Sequence, residues 1–268
     1  MLRRIGTKAL YDQRRSLVGW AIGLGALVLL SVAFYPSVRA DARSFRQLLE
    51  QIPPALRAIF LGRVADLASP AGYLDGRLFA FTAPVLFLVY AIGVGSRAVA
   101  GEEEDGTLDL LLSLPVTRRR VVLEKMGALV AGLGALTAVL WLSLVALGPP
   151  FQVTVGVGGI TAACVSLFLL ALVHGALALA VGAARGSRGL AVAVPVVVAA
   201  AGFLLDSLAS LVEALRAVRV LSPFYLYAAS RPLERGLDAV HVAALLAATA
   251  VLVALGAWRF ERRDVGVA

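Results

Sequence analysis

Four acids stand in a row at Glu102-Glu103-Glu104-Asp105, and His174, His241 and Cys164 supply the imidazole and thiol groups able to do acid–base, metal or nucleophilic work. Metal-assisted hydrolysis on a helix needs two histidines one turn apart around a glutamate, His-Glu-x-x-His, and neither histidine has that spacing. A single cysteine forms no disulfide within the chain and no thiolate metal cluster. ATP binding through a phosphate-cradling loop needs a lysine after Gly-x-x-x-x-Gly, and neither Lys8 nor Lys125 follows one. His174 falls inside a long apolar stretch, where an ionisable group is a functional-site candidate by default. It can equally be satisfied by a backbone carbonyl or by a hydroxyl such as Ser143 or Ser166. With no acid near it in its own stretch, the structural role is the favoured one. His241, at the end of the last apolar stretch, reads as interfacial. The chain therefore reads as no enzyme, with no metal site and no cofactor of its own.

The elements around these groups are those of a membrane protein. The 268 residues are 60% hydrophobic and 16% charged, with a mean hydropathy of +0.89, far from the balance of a soluble domain. The 25 basic residues against 17 acids give a net charge of +8. Lying between long apolar runs, that excess is a topology signal and not a nucleic-acid surface. Charge-free stretches at 16–38, 78–96, 189–205 and 239–258 each have the length of one spanning helix. The stretch 126–184 would reach about 90 Å as a single helix, roughly three times a hydrocarbon core, so it crosses twice. Gly148-Pro149-Pro150 and the glycines at 156, 158 and 159 mark its reversal.

These features predict an all-α integral membrane protein with a single transmembrane domain over 1–268. Its six spans fall at about 16–38, 70–98, 126–148, 158–184, 189–206 and 238–258. Val38-Arg39-Ala40 resembles a cleavage site, but the first apolar run is too long for a secretory signal and further spans follow, so it is read as uncleaved. Six crossings put both ends on one side, which then holds 15 of the 25 basic residues. Both termini are expected in the cytoplasm of a multi-pass protein of the cell membrane. On the outer side, Phe45, Leu48, Leu49 and Ile52 have helical spacing, and Ser69-Pro70 reads as a cap and first helical residue, with a bend expected at Pro84. The second outer loop, 206–238, repeats Leu208, Leu211, Val212 and Leu215 before breaks at Ser222-Pro223 and Arg231-Pro232. Both a partly inserted segment and an interfacial helix satisfy that pattern.

The most informative segment is 101–118, with the acid run followed by Gly106-Thr107-Leu108, Leu111-Leu112, Pro115 and Arg118. It is too short and too acidic to span. A short helix with Leu108, Leu111 and Leu112 on one face and carboxylates at its start suits a partner groove with a basic rim, and Pro115 would end it. Thr117 would then cap the helix leading into the third span. A solvated loop whose leucines rest on lipid headgroups fits the pattern equally well.

The run Glu-Glu-Glu-Asp-Gly-Thr-Leu-Asp-Leu-Leu-Leu-Ser-Leu-Pro-Val-Thr-Arg resembles the cytoplasmic coupling segment of bacterial ATP-binding-cassette permeases of the type-2 export class. Ser69-Pro70-Ala71-Gly72-Tyr73-Leu74 and Leu221-Ser222-Pro223-Phe224-Tyr225 are similar to further stretches of that family. The resemblance implies a half-transporter, two copies of which, identical or closely related, form the pathway. It also implies an ATP-binding-cassette ATPase subunit that binds ATP and Mg in this chain's stead, with membrane lipid around the assembly and no nucleic acid. It places docking on Glu102, Glu103, Glu104, Gly106, Thr107, Leu108, Leu111, Leu112, Pro115 and Arg118. It makes 1–15 an interfacial helix before the first span, 101–118 a coupling helix, and the outer segments short helices before spans two and six. In this family spans two and five line the path, which here assigns Phe79, Phe81, Phe87 and Tyr90 from one, and Val194, Val198 and Phe203 from the other. A path of those residues suits hydrophobic or amphipathic cargo. The alternatives are an intramembrane metalloprotease-like enzyme, against which the spacing after Glu102-Glu103 counts, and an ATP-independent carrier, for which acids at mid-membrane are missing.

Overall fold

A computed structural model of the chain describes residues 5–41, 51–53, 56, 69–108, 113, 116–209 and 212–263, with side chains from residue 13 onward. Six of its helices are long and apolar enough to cross a membrane. The first, α1 (Ile5–Ala33), breaks at Phe34 and resumes as α2 (Tyr35–Ala40), which carries Pro36 in its first turn. Residues 5–15 of the segment assigned above to an interfacial helix thus continue without a break into residues 16–33 of the first span. The second, α3 (Pro70–Glu104), opens where Ser69 Oγ accepts the N–H of Gly72. It is interrupted at Ala80-Phe81, four and three residues before Pro84, whose missing N–H and ring exclude the regular bond to residue 80. Wide π turns at Asp75–Phe79 and Arg97–Gly101 lie on either side of its straight middle.

The remaining long helices are α4 (Arg118–Leu147), α5 (Val157–Arg185) and α6 (Arg188–Leu208). After two short helices, α7 (Pro223–Ala228) and α8 (Pro232–Arg235), the last span is α9 (Ala239–Arg262). The reversal between α4 and α5 falls at Pro149–Phe151, with Gln152 in the left-handed region at φ 62°.

The bundle is organised around α5. Of its most apolar window 78% is buried inside the chain, against 17% for α9 and 22% for α1 and α6. Small residues let its neighbours approach. A Cβ on Gly95 of α3 would lie 2.3 Å from the Gly175 carbonyl of α5, and one on Gly256 of α9 would lie 2.8 Å from Ala180 Cα. In a lipid solvent, where burying leucine gains little, such close backbone approach is a main source of helix association. The first helix packs on α4 and stays largely on the outside.

The segment between α6 and α9 is drawn into the bundle. Ser222 Oγ donates to the Gly202 carbonyl of α6 at 2.8 Å and accepts the N–H of Phe224 at 3.2 Å, so one hydroxyl both caps α7 and pins it to α6. Phe224 then meets the ring of His174 edge-on at 5.9 Å, 17 residues into α5. Tyr227 donates its hydroxyl to the Phe79 carbonyl at 2.8 Å, fastening α7 to the first π turn of α3.

Candidate functional site

Helix α3 ends in the acid run, and its termination follows from the sequence. Gly106 adopts φ 66°, its N–H bonds the Glu103 carbonyl at 3.1 Å, and the N–H of Thr107 bonds the Glu102 carbonyl at 2.8 Å. This paired pattern with glycine in the left-handed position is the Schellman stop, which satisfies carbonyls that a helix end leaves open. Gly106 and Thr107 therefore have a structural duty in ending the helix, which the sequence reading had given only to docking.

The stop holds three glutamates at the helix end, and each reaches a different neighbour. Glu102 Oε1 pairs with Lys125 Nζ, about two turns into α4. Glu103 Oε2 pairs with Arg263 Nη2 at the end of α9. Glu104 Oε1 accepts the backbone N–H of Arg188, the first residue of α6, at 2.9 Å. That carboxylate sits where the open N–H groups and the positive end of the helix dipole favour an anion. Arg118 Nη1 crosses from the start of α4 to the carbonyls of Phe260, at 3.0 Å, and Arg263, with its guanidinium 5.5 Å from the centre of the Phe260 ring. Thr117 Oγ1 accepts the N–H of Arg120 at 3.3 Å and caps α4.

A glycine completes the arrangement. Gly186 ends α5 at φ +69°, and a Cβ there would lie 2.2 Å from Arg263 Nη1 and 2.7 Å from both carboxylate oxygens of Glu103. The Glu103–Arg263 pair thus lies directly on the end of α5. Five helix ends, of α3, α4, α5, α6 and α9, meet around one row of carboxylates. Within this knot Lys125 is 7% exposed, and Glu102 Oε2 is buried without a partner among the described residues. Leu108 is 1% exposed and belongs to the chain's own core. Asp105, Gly106 and Thr107 remain exposed beside it. Leu111, Leu112 and Pro115 lie outside the described residues.

This geometry changes the reading of the segment. The carboxylates assigned to a partner's basic rim are turned onto the chain's own helix ends, and so is Arg118. Their intrachain partners Arg188 and Arg263 were missed, because spacing along a sequence does not show which helix ends share a membrane face. The signal that was available is Gly106 directly after the acid run, a stop that fixes where the carboxylates are presented.

The residues assigned to a substrate path separate into two groups. Phe87 and Tyr90 are 2% and 3% exposed and belong to the core of the chain. Tyr90 is held edge-on to Trp20 at 6.0 Å and rests against Gly132, where a Cβ would meet its hydroxyl at 2.2 Å. Phe79 is also buried, while the ring of Phe81 meets that of Phe203 at 5.7 Å, tilted by 56°. Val194 and Val198 are exposed on α6. His174 is fully buried, and its Nδ1 bonds the Leu170 carbonyl of its own helix at 2.8 Å, so Nδ1 carries the proton. Among the described residues Nε2 has no partner, and no three of His, Cys, Asp and Glu converge as metal ligands.

Six apolar spans tied by an ionic knot at one end define a polytopic helical membrane protein. The chain matches the family described as ABC-2 family transporter protein over residues 4–265, and it belongs to that family as an ATP-binding-cassette transporter permease. No curated protein matches it.

Proposed function

We propose that this permease couples ATP hydrolysis by a separate ATPase subunit to movement of a hydrophobic or amphipathic substrate across the cell membrane. The ATPase docks on segment 101–118. The observation that carries this reading is that three consecutive glutamates at the end of α3 grip the ends of α4, α6 and α9. A segment so tied does not move alone: any displacement of it pulls on three other spans.

In this reading the two parts of the segment divide the work. The exposed Asp105–Thr107 turn and the leucines beyond it meet the partner, and Glu102–Glu104 transmit. The ATPase shifts the permease between states only through its differential affinity for the segment in each. Arginines cluster at the knot's end of the bundle, which supports placing that end and both termini in the cytoplasm. A second permease copy forms the other half of the transporter, and the exposed valines of α6 suit an apolar boundary to the path.

The test is reconstitution of the complex in lipid nanodiscs. Leu111→Asp is expected to release the ATPase from the permease in a tagged pull-down while the permease stays inserted. Full co-purification with unaltered ATP hydrolysis by that variant contradicts the docking assignment.

A further inference from the structure

At the end of the bundle opposite the glutamates, a cavity of about 70 Å³ opens between the start of α3, the end of α6, and α7 and α8. Phe79, Phe203, Phe224 and Tyr227 form its aromatic wall, and Asp75, Asp206 and Arg231 bring charge to it. We propose that this cavity is a binding site for the head of an organic monocation, a quaternary or primary ammonium carrying a lipophilic tail.

Size sets the first condition. One water needs roughly 10–15 Å³ by this measure, so the cavity has room for about five water-sized groups. A trimethylammonium head with its first methylene has that many heavy atoms.

Charge sets the second condition. The lining carries two carboxylates to one guanidinium, and Arg231 Nη1 is itself 3.5 Å from Glu234 Oε2. Asp75 lies within electrostatic range of both Glu234 and Arg231. By formal charge the acids of the lining exceed the base by one. A neutral apolar occupant would bury the Asp75 carboxyl further without compensating its charge.

The aromatic wall decides between kinds of cation. The Tyr227 hydroxyl is already spent on the Phe79 carbonyl, so the residue offers its ring. Phe224 and Phe203 stand edge to face at 5.4 Å, and Phe224 is backed by His174. Ring faces attract a diffuse organic cation within about 6 Å of their centres. A bare calcium or magnesium ion would demand about six oxygen ligands, which two carboxylates among four aromatic rings do not supply. The wall is held by hydrogen bonds to two different spans, at Gly202 and at Phe79, so the site is built into the fold.

The inference needs no part of the docking assignment. A lipophilic cation agrees with amphipathic cargo, yet binding is measured without ATPase or transport, so failure of either reading is told apart from failure of the other. The full chain in nanodiscs is titrated with benzyltrimethylammonium, and neopentylbenzene, its neutral carbon isostere, serves as competitor. Saturable binding at one site per chain is expected, with neopentylbenzene at least tenfold weaker and Asp75→Asn weakening the cation at least tenfold. Equal competition by the neutral isostere, absence of saturable binding, or undiminished affinity in a folded Asp75→Asn variant would each overturn the proposal. Should Asp75→Asn not fold, the competition on the unaltered chain decides alone.

Discussion

The two ends of this bundle use charge differently. At the glutamate end, each carboxylate meets a cation or a helix N-terminus of its own chain, and the ends of five helices close around them. At the other end, Asp75, Asp206 and Arg231 border a void walled by aromatic rings. The first arrangement makes a joint, because satisfied charges fix distances between helices. The second makes a receptor, because charge facing a cavity is stabilised further when a ligand enters. Six spans run between the two ends, and α5 is packed against α3, α4, α6 and α9 by glycine contacts that leave little room for independent movement.

Removing one partner from the joint should produce the largest effect. Glu102→Ala leaves Lys125 buried and unpaired, a change that costs about 3 kcal/mol, at the low end for buried pairs because the Glu102 side chain is 29% exposed. Thermal unfolding in detergent should show a clear drop, and an unchanged midpoint would mean the pair holds nothing. Gly186→Ala comes next. A left-handed φ of +69° costs a residue with a Cβ about 1–2 kcal/mol, and the new methyl must also displace the Glu103–Arg263 pair. The double variant Gly186→Ala/Arg263→Ala should lose less than the two changes added together, as residues in contact do.

At the receptor end the effects are smaller in stability and larger in binding. Ser222→Ala removes both the cap of α7 and its tie to Gly202, for a loss of about 1 kcal/mol. Benzyltrimethylammonium affinity should fall with it, since Phe224 and Tyr227 ride on α7. The smallest effect is a pH dependence. The backbone N–H of His241, joined by that of Val240, holds the exposed Asp238 carboxyl below the usual carboxylate range. A depressed value means that the cap's contribution is complete above the ordinary carboxylate pKa and is lost as pH falls through the lowered one. Asp238→Asn keeps an uncharged cap, so its unfolding midpoint should be flatter with pH in that acid range than that of the unaltered chain.

Much of this architecture was legible in the residues. Charge-free runs of spanning length, the Gly148-Pro149-Pro150 reversal and the caps at Ser69 and Thr117 depend on local chemistry that one sequence displays. The ionic knot was not legible, because Glu103 and Arg263 are 160 residues apart and only folding brings them together. The burial of Phe87 and Tyr90 was hidden for a related reason. Phe87 and Tyr90 share an apolar helix with Phe81, and in a membrane span the hydrophobic pattern does not separate the face that meets lipid from the face that meets α5. The cavity could have been suspected from Ser222-Pro223 and Arg231-Pro232, two breaks close together that let a short helix turn inward, but its carboxylates come from distant elements.

The central claim is that the glutamates transmit what the docking segment receives. The most direct measurement compares ATPase retention and transport in the reconstituted complex carrying Glu102→Gln and Glu103→Gln. These substitutions keep the helix end and remove the charge that grips α4 and α9. The expected result is a complex that still holds its ATPase and hydrolyses ATP but no longer moves substrate. Full transport by that variant, or loss of the ATPase on purification, would contradict the assignment of docking and transmission to different residues of one segment.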